Sequence, residues 1–133
     1  MSSNIPAWVP SDIAKHAFVS ELKNNQQLQL LNLATTDGFR VCQVARQGLN
    51  IEGDKIAAVT SSIMAMSNSA ARAVFSEDSQ TIDIESNCGK IVIETISSSH
   101  GQLVITLCCQ HDCSLATARF IARRLRQTIL QAL

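Results

Sequence analysis

At 133 residues the chain has the size of one domain able to bury about two-thirds of its surface, so neither disulfides nor a metal is needed to hold it together. Its formal net charge is zero and only 17% of its residues are charged, below the roughly 25% usual in soluble domains; this excludes a general nucleic-acid footprint and leaves the sparse solvated surface of an oligomer. The five cysteines, an odd number outside any secretory context, read as reduced thiols of a cytoplasmic protein.

The opening MSSNIPAWVPSD has no basic region, apolar core or cleavage pattern and is not read as a signal peptide. Pro6, Trp8 and Pro10 make residues 1–10 an extended arm whose tryptophan can dock on the body, and residues 11–133 form a single domain. Ser11 caps a helix over about Asp12 to Lys23. Leu28 to Thr35 and Phe39 to Arg46 read as strands around Thr36, Asp37 and Gly38, a hairpin signal because Asp and Gly tolerate positive φ. Asp54 is the expected N-cap of a long helix ending near Phe75. Strands follow at about 80–86, 90–97 and 102–109, and Ser114 caps a last helix with Leu115, Ala118, Ile121, Ala122, Leu125 and Ile129 on one face. LQLLNLA and LVITLCC are apolar on both faces, as befits central strands, whereas TIDIES alternates like an edge strand. Short connections make the sheet antiparallel, with helices on both faces.

The long helix is the unusual element: Ile56 to Ala71 has no charge, glycine or proline, yet is too polar to cross a membrane, so protein must cover it. At 100° per residue, Ile56, Val59, Ile63, Met66, Ala70 and Val74 form a stripe of mostly large groups, expected to face the domain's own sheet. Beside it, Ala58, Ser62, Ala65, Ser69 and Ala73 form a small-residue stripe that lets a second backbone approach closely. A third side carries Thr60, Ser61, Met64, Ser67, Asn68 and Phe75, expected to remain available to a partner protein.

LLNLATTDGFRVCQVAR followed by DKIAAVTSSIMAMSNSAA resembles the Roadblock domain of dynein light chains and bacterial MglB-like proteins, over about Leu22 to Leu130. The resemblance implies a Roadblock (profilin-like) fold of the α+β type: a five-stranded antiparallel sheet ordered 2-1-5-4-3, with the first and last helices on one face and the middle helix on the other. It implies a homodimer in which middle helices pack and third strands pair edge to edge, here through the small-residue stripe and Thr81, Ile82, Asp83, Ile84 and Glu85. It also implies a non-catalytic regulator or scaffold that binds a Ras-like small GTPase and in some members stimulates its GTP hydrolysis, with no catalytic residues or cofactor of its own. On this chain Thr60, Met64, Ser67, Asn68 and Phe75 are the expected GTPase-facing residues.

Cys108, Cys109, His111, Asp112 and Cys113 form a thiol-rich turn that departs from the family pattern. Zinc needs about four ligands, and adjacent strand residues Cys108 and Cys109 point to opposite faces, so Cys109, His111 and Cys113 are weak metal candidates at most. A Cys113–His111 nucleophile has no surrounding signature, and His16 and His100 read as ordinary surface residues. Arg119, Arg123, Arg124 and Arg126 make the last helix basic, a run read mainly as a solvated face. With no tyrosine and one tryptophan, nucleic-acid binding is not expected, nor is membrane insertion. The alternatives to a GTPase regulator are a structural adaptor without nucleotide-state preference and a small-molecule or metal-binding sensor.

Overall fold

A computed structural model describes residues 5–133, so the first four residues of the proposed arm lie outside the described residues. The order is α1 (Ser11–Asn24), β1 (Leu28–Thr35), β2 (Arg40–Ala45), α2 (Gly53–Phe75), β3 (Thr81–Glu85), β4 (Gly89–Ser98), β5 (Gly101–Gln110) and α3 (Leu115–Gln131). The strands form one antiparallel sheet in the order β2-β1-β5-β4-β3, as expected, with β1 and β5 inside and β3 at an edge.

The two faces of the sheet are built differently. On one, Phe18 and Leu22 of α1 and Ile121, Leu125 and Ile129 of α3 close over Leu31, Leu33, Leu103, Ile105 and Leu107, the main core. Alternation sends the intervening strand residues to the other face, where Met64 of α2 meets only Ile93 and Val104 in a small buried cluster. Polar bonds add to these apolar contacts. Asn32, in the middle of β1, donates from Nδ2 to the Gly53 carbonyl at 3.1 Å and to Gln43 Oε1 at 2.9 Å, fastening the start of α2. Ser61 Oγ donates to the Thr35 carbonyl at 2.9 Å.

Helix ends differ in part from expectation. Ser114 caps α3 by accepting from Thr117 N–H at 3.1 Å. Ser11 instead opens α1 behind Pro10, with no side-chain cap, and Asp54 lies inside the first turn of α2, paired with Arg40 at 3.0 Å. At the β1–β2 turn Gly38 takes φ +92°, and a Cβ there would stand 3.4 Å from Ala58 Cα. Glycine thus serves both the turn and the close approach of hairpin to helix. Trp8 docks as expected: its ring stacks on His100 with centroids 5.8 Å apart and covers Gly101, where a Cβ would come within 2.8 Å of the indole. His100 is therefore a packing partner rather than a bare surface residue.

The basic run of α3 also proves less solvated than its sequence suggests. Arg124 forks onto buried Glu21 with two 2.7 Å bonds, tying α3 to α1, and Arg119 pairs with Asp83 of β3. Arg126 lies 3.8 Å from Glu94, whose side chain is fully buried and also bonded by Thr81. Ion pairs thus add to the apolar contacts that hold α3 on the β3 side of the sheet. Among the described residues, no helix is long and apolar enough to cross a membrane.

Candidate interaction surface

The orientation of α2 corrects the helical-wheel reading. Gly53, Ala57, Thr60, Ser61 and Met64 face the sheet, whereas Val59, Met66 and Val74 of the stripe assigned to it are 46%, 66% and 72% exposed. Small residues lie inside because α2 seats close to the strands, and their hydroxyls are satisfied there, Ser61 by the Thr35 carbonyl and Thr60 by the Ile56 carbonyl of its own helix. Thr60 and Met64, at 5% and 3% exposure, are therefore unavailable to a partner. Ser67 and Asn68 are half-buried and engaged with Ser79 at 2.7 and 3.0 Å. Of the five expected partner residues only Phe75, 76% exposed, stands free of the domain.

The outward side of α2 then carries both stripes. Ser62, Met66, Ser69 and Ala73 point away from the sheet, flanked by Val59, Ala70 and Val74 on one side and Ala58 and Ala65 on the other, all but the first turn and Arg72 being uncharged. The flanks meet different surroundings. Ile63 is half-buried against the Met64 cluster that also receives Ile82 and Ile84 of β3 and Ile91 of β4, so the large-residue flank overlooks the β3 margin. Ala58, Ser62 and Ala65 instead border a groove of about 230 Å³ whose far wall is Thr36, Asp37 and Gly38.

β3 itself is an open edge: Thr81 to Glu85 pair with Glu94 to Lys90, and no described strand lies beyond them. Ile82 and Ile84 face the α2 side and remain half-exposed, continuing the apolar flank onto the sheet. Unpaired edges usually carry charge or bulges against association. Here the inward charge of Asp83 is neutralised by Arg119, which leaves the edge pairable.

The thiol turn does not assemble as a metal site. Cys109 and Cys113 are buried in the main core while His111 is exposed, and among the described residues no three of His, Cys, Asp and Glu could hold an ion together. Lys90 Nζ closes the turn by donating to the carbonyls of His111 and Cys113 at 2.6 and 2.8 Å. Burial pushes the Cys42 and Cys108 thiols up to about 11 and Cys109, further raised by neighbouring Cys113, up to about 12. The thiolate is the reactive form, so burial works against reaction of these thiols. Only Cys88, exposed in the β3–β4 turn, should react promptly with a disulfide reagent in the native protein, the others following in denaturant. Because the folded thiols hold their protons while unfolded ones ionise near 9, stability should decline as pH rises above about 9, and equilibrium denaturation at pH 8 and 10 checks this.

No protein-family model matches the chain, nor does any curated protein. Among solved structures it is similar to MglB of Myxococcus xanthus, with a TM-score of 0.81 at 13% identity over 98% of this chain and 91% of that one. The gliding protein MglB of Thermus thermophilus gives 0.79 at 11% identity over 96% and 92%. A Roadblock/LC7 domain from Streptomyces avermitilis gives 0.74 at 15% over 86% and 92%. With strand order, helix placement and these likenesses in agreement, the chain has the Roadblock/LC7 fold, which it shares with the MglB structures.

Proposed function

We propose that the protein is a non-catalytic, cytoplasmic homodimeric regulator that binds a Ras-like small GTPase. The observation that carries the reading is the uncharged, exposed side of α2 beside an open, charge-neutralised β3 edge. Two copies joined along Thr81 to Glu85 would bring their α2 helices together above the lengthened sheet. The flank overlooking β3 gives Val59, Ile63, Met66 and Ala70 to that contact, with Ser62, Ser69 and Ala73 between the helices. Ala58 and Ala65 then belong to the groove beside the β1–β2 turn, which together with exposed Phe75 is left for the GTPase.

Support for a GTPase partner comes from the sequence resemblance and from the MglB-like fold. Regulation requires unequal affinity for the two nucleotide states, since equal affinity shifts nothing. The partner's switch loops, ordered by the γ-phosphate, supply that difference. Immobilised protein should retain a Ras-like small GTPase from the same cells in one of the GDP and GTP-analogue forms at least about tenfold better than in the other, a difference of ~1.4 kcal/mol. Ala65→Arg should abolish retention without altering the oligomeric state. Equal retention of both forms favours the adaptor reading.

A further inference from the structure

β4 is ten residues long but β3 covers only half of it, and a hollow of about 420 Å³ lies beside the uncovered part. Thr95 N–H points toward β3, donating to the Gln80 carbonyl at 3.1 Å. Backbone groups of an antiparallel strand alternate in direction, so the N–H and C=O of Ser97, two residues on, point the same way, into the hollow beyond the end of β3. Gln80, Thr95, Gln102, Arg126 and Leu130 line it with Ser97. Behind this lining Arg126 faces the fully buried Glu94 at 3.8 Å.

We propose that this uncovered edge of β4 takes up an extended segment of a partner protein as a short sixth strand, with basic and apolar residues in alternation. Main-chain pairing to Ser97 provides the anchorage, and alternate side chains of an added strand fall on opposite sides of it. On the α3 side the wall is Leu130, beside an arginine already facing Glu94, which suits an apolar residue. On the α2 side the wall is acidic: Asp78 is engaged by Arg72, but Glu77 has no ion-pair partner among the described residues and calls for a cation. This site is separate from the α2 groove, and its occupancy does not depend on GTPase binding.

The test is titration of ¹⁵N-labelled full-length protein with a capped heptapeptide of alternating valine and lysine, and with its valine–glutamate counterpart. The lysine peptide should shift the Ser97 and Gln80 amides saturably and bind about tenfold more tightly than the glutamate peptide. Ser97→Pro removes an outward-pointing N–H at the uncovered end of β4 and should weaken binding about tenfold, whereas Ser97→Ala leaves it unchanged. Should the proline distort β4, exposed Glu77→Lys supplies the same test by reversing the preference between the peptides. The proposal fails if the Ser97 amide is already protected from exchange in the free protein, if neither peptide shifts it, or if Ser97→Pro and Glu77→Lys bind like the parent.

Discussion

Ser62→Glu and Met66→Glu should each convert a micromolar dimer into a monomer, read by size-exclusion chromatography with light scattering. Both side chains point away from the sheet at the middle of the uncharged side of α2, so in the free chain either glutamate is solvated and the fold is unaffected. Opposed to the middle of a second α2, each glutamate meets alanine, serine, valine and methionine, since the helix carries no cation between Lys55 and Arg72. An unpaired charge buried in this way costs about 3 to 5 kcal/mol, and a two-fold dimer buries it twice. Association should weaken by a factor on the order of 10³ or more. Circular dichroism should remain that of the parent, and Lys15→Glu, on the outer side of α1, should remain dimeric. A parent protein that is already monomeric at micromolar concentration removes the basis of the proposed assembly.

The flank of α2 that makes the contact is separately testable within that experiment. Val59→Glu and Ala70→Glu face the β3 margin and should dissociate the dimer, whereas Ala58→Glu faces the β1–β2 turn and should not. The opposite pattern would place the small-residue stripe at the twin helix, as the family resemblance implies.

The sheet was legible because its residues respond to burial in a simple way. Two-sided apolar runs put β1 and β5 inside, the alternation of Thr81 to Ser86 put β3 at an edge, and Asp37-Gly38 located the hairpin. The inner side of α2 was not legible from hydrophobicity, since Val59, Met66 and Val74 lie outside and Thr60 and Ser61 inside. Hydropathy marks which side of a helix avoids water, without distinguishing its own sheet from another protein. The distinguishing signal lay in the strands: Asn32 and Thr106 sit as facing polar residues in otherwise apolar central strands and are fully or almost fully buried. A buried amide requires partners, and Asn32 finds one in the Gly53 carbonyl at the start of α2, while Ser61 of the same helix bonds the Thr35 carbonyl at the end of β1. The ionic fastening of α3 was hidden for a different reason, since Arg119, Arg124 and Arg126 find acids 36, 103 and 32 residues away in sequence.

Arg46 should be the most costly single side chain to remove from the surface layers. It ends the β2 segment and looks in sequence like one more solvated cation. Its guanidinium instead donates to three carbonyls, from Nε to Leu28 and from one terminal nitrogen to Leu22 and Asn25, each at 2.8 Å. Leu22 and Asn25 are at the C-terminal end of α1, where free carbonyls concentrate partial negative charge. One planar group thus closes the helix end, and because Leu28 opens β1 it also fixes the turn that sends the chain into the sheet. Each such charge-assisted bond contributes roughly 1 to 1.5 kcal/mol after exchange with water, so Arg46→Met should destabilise the fold by about 3 kcal/mol while preserving the apolar stem. Arg46→Lys should recover only about a third of that, because a single ammonium cannot reproduce the planar fork. Urea denaturation reads both effects as shifts in midpoint at unchanged slope. If the methionine variant unfolds at the parental midpoint, water satisfies these carbonyls as well as Arg46 does, and α1 is held by Phe18, Leu22 and the Glu21–Arg124 pair alone.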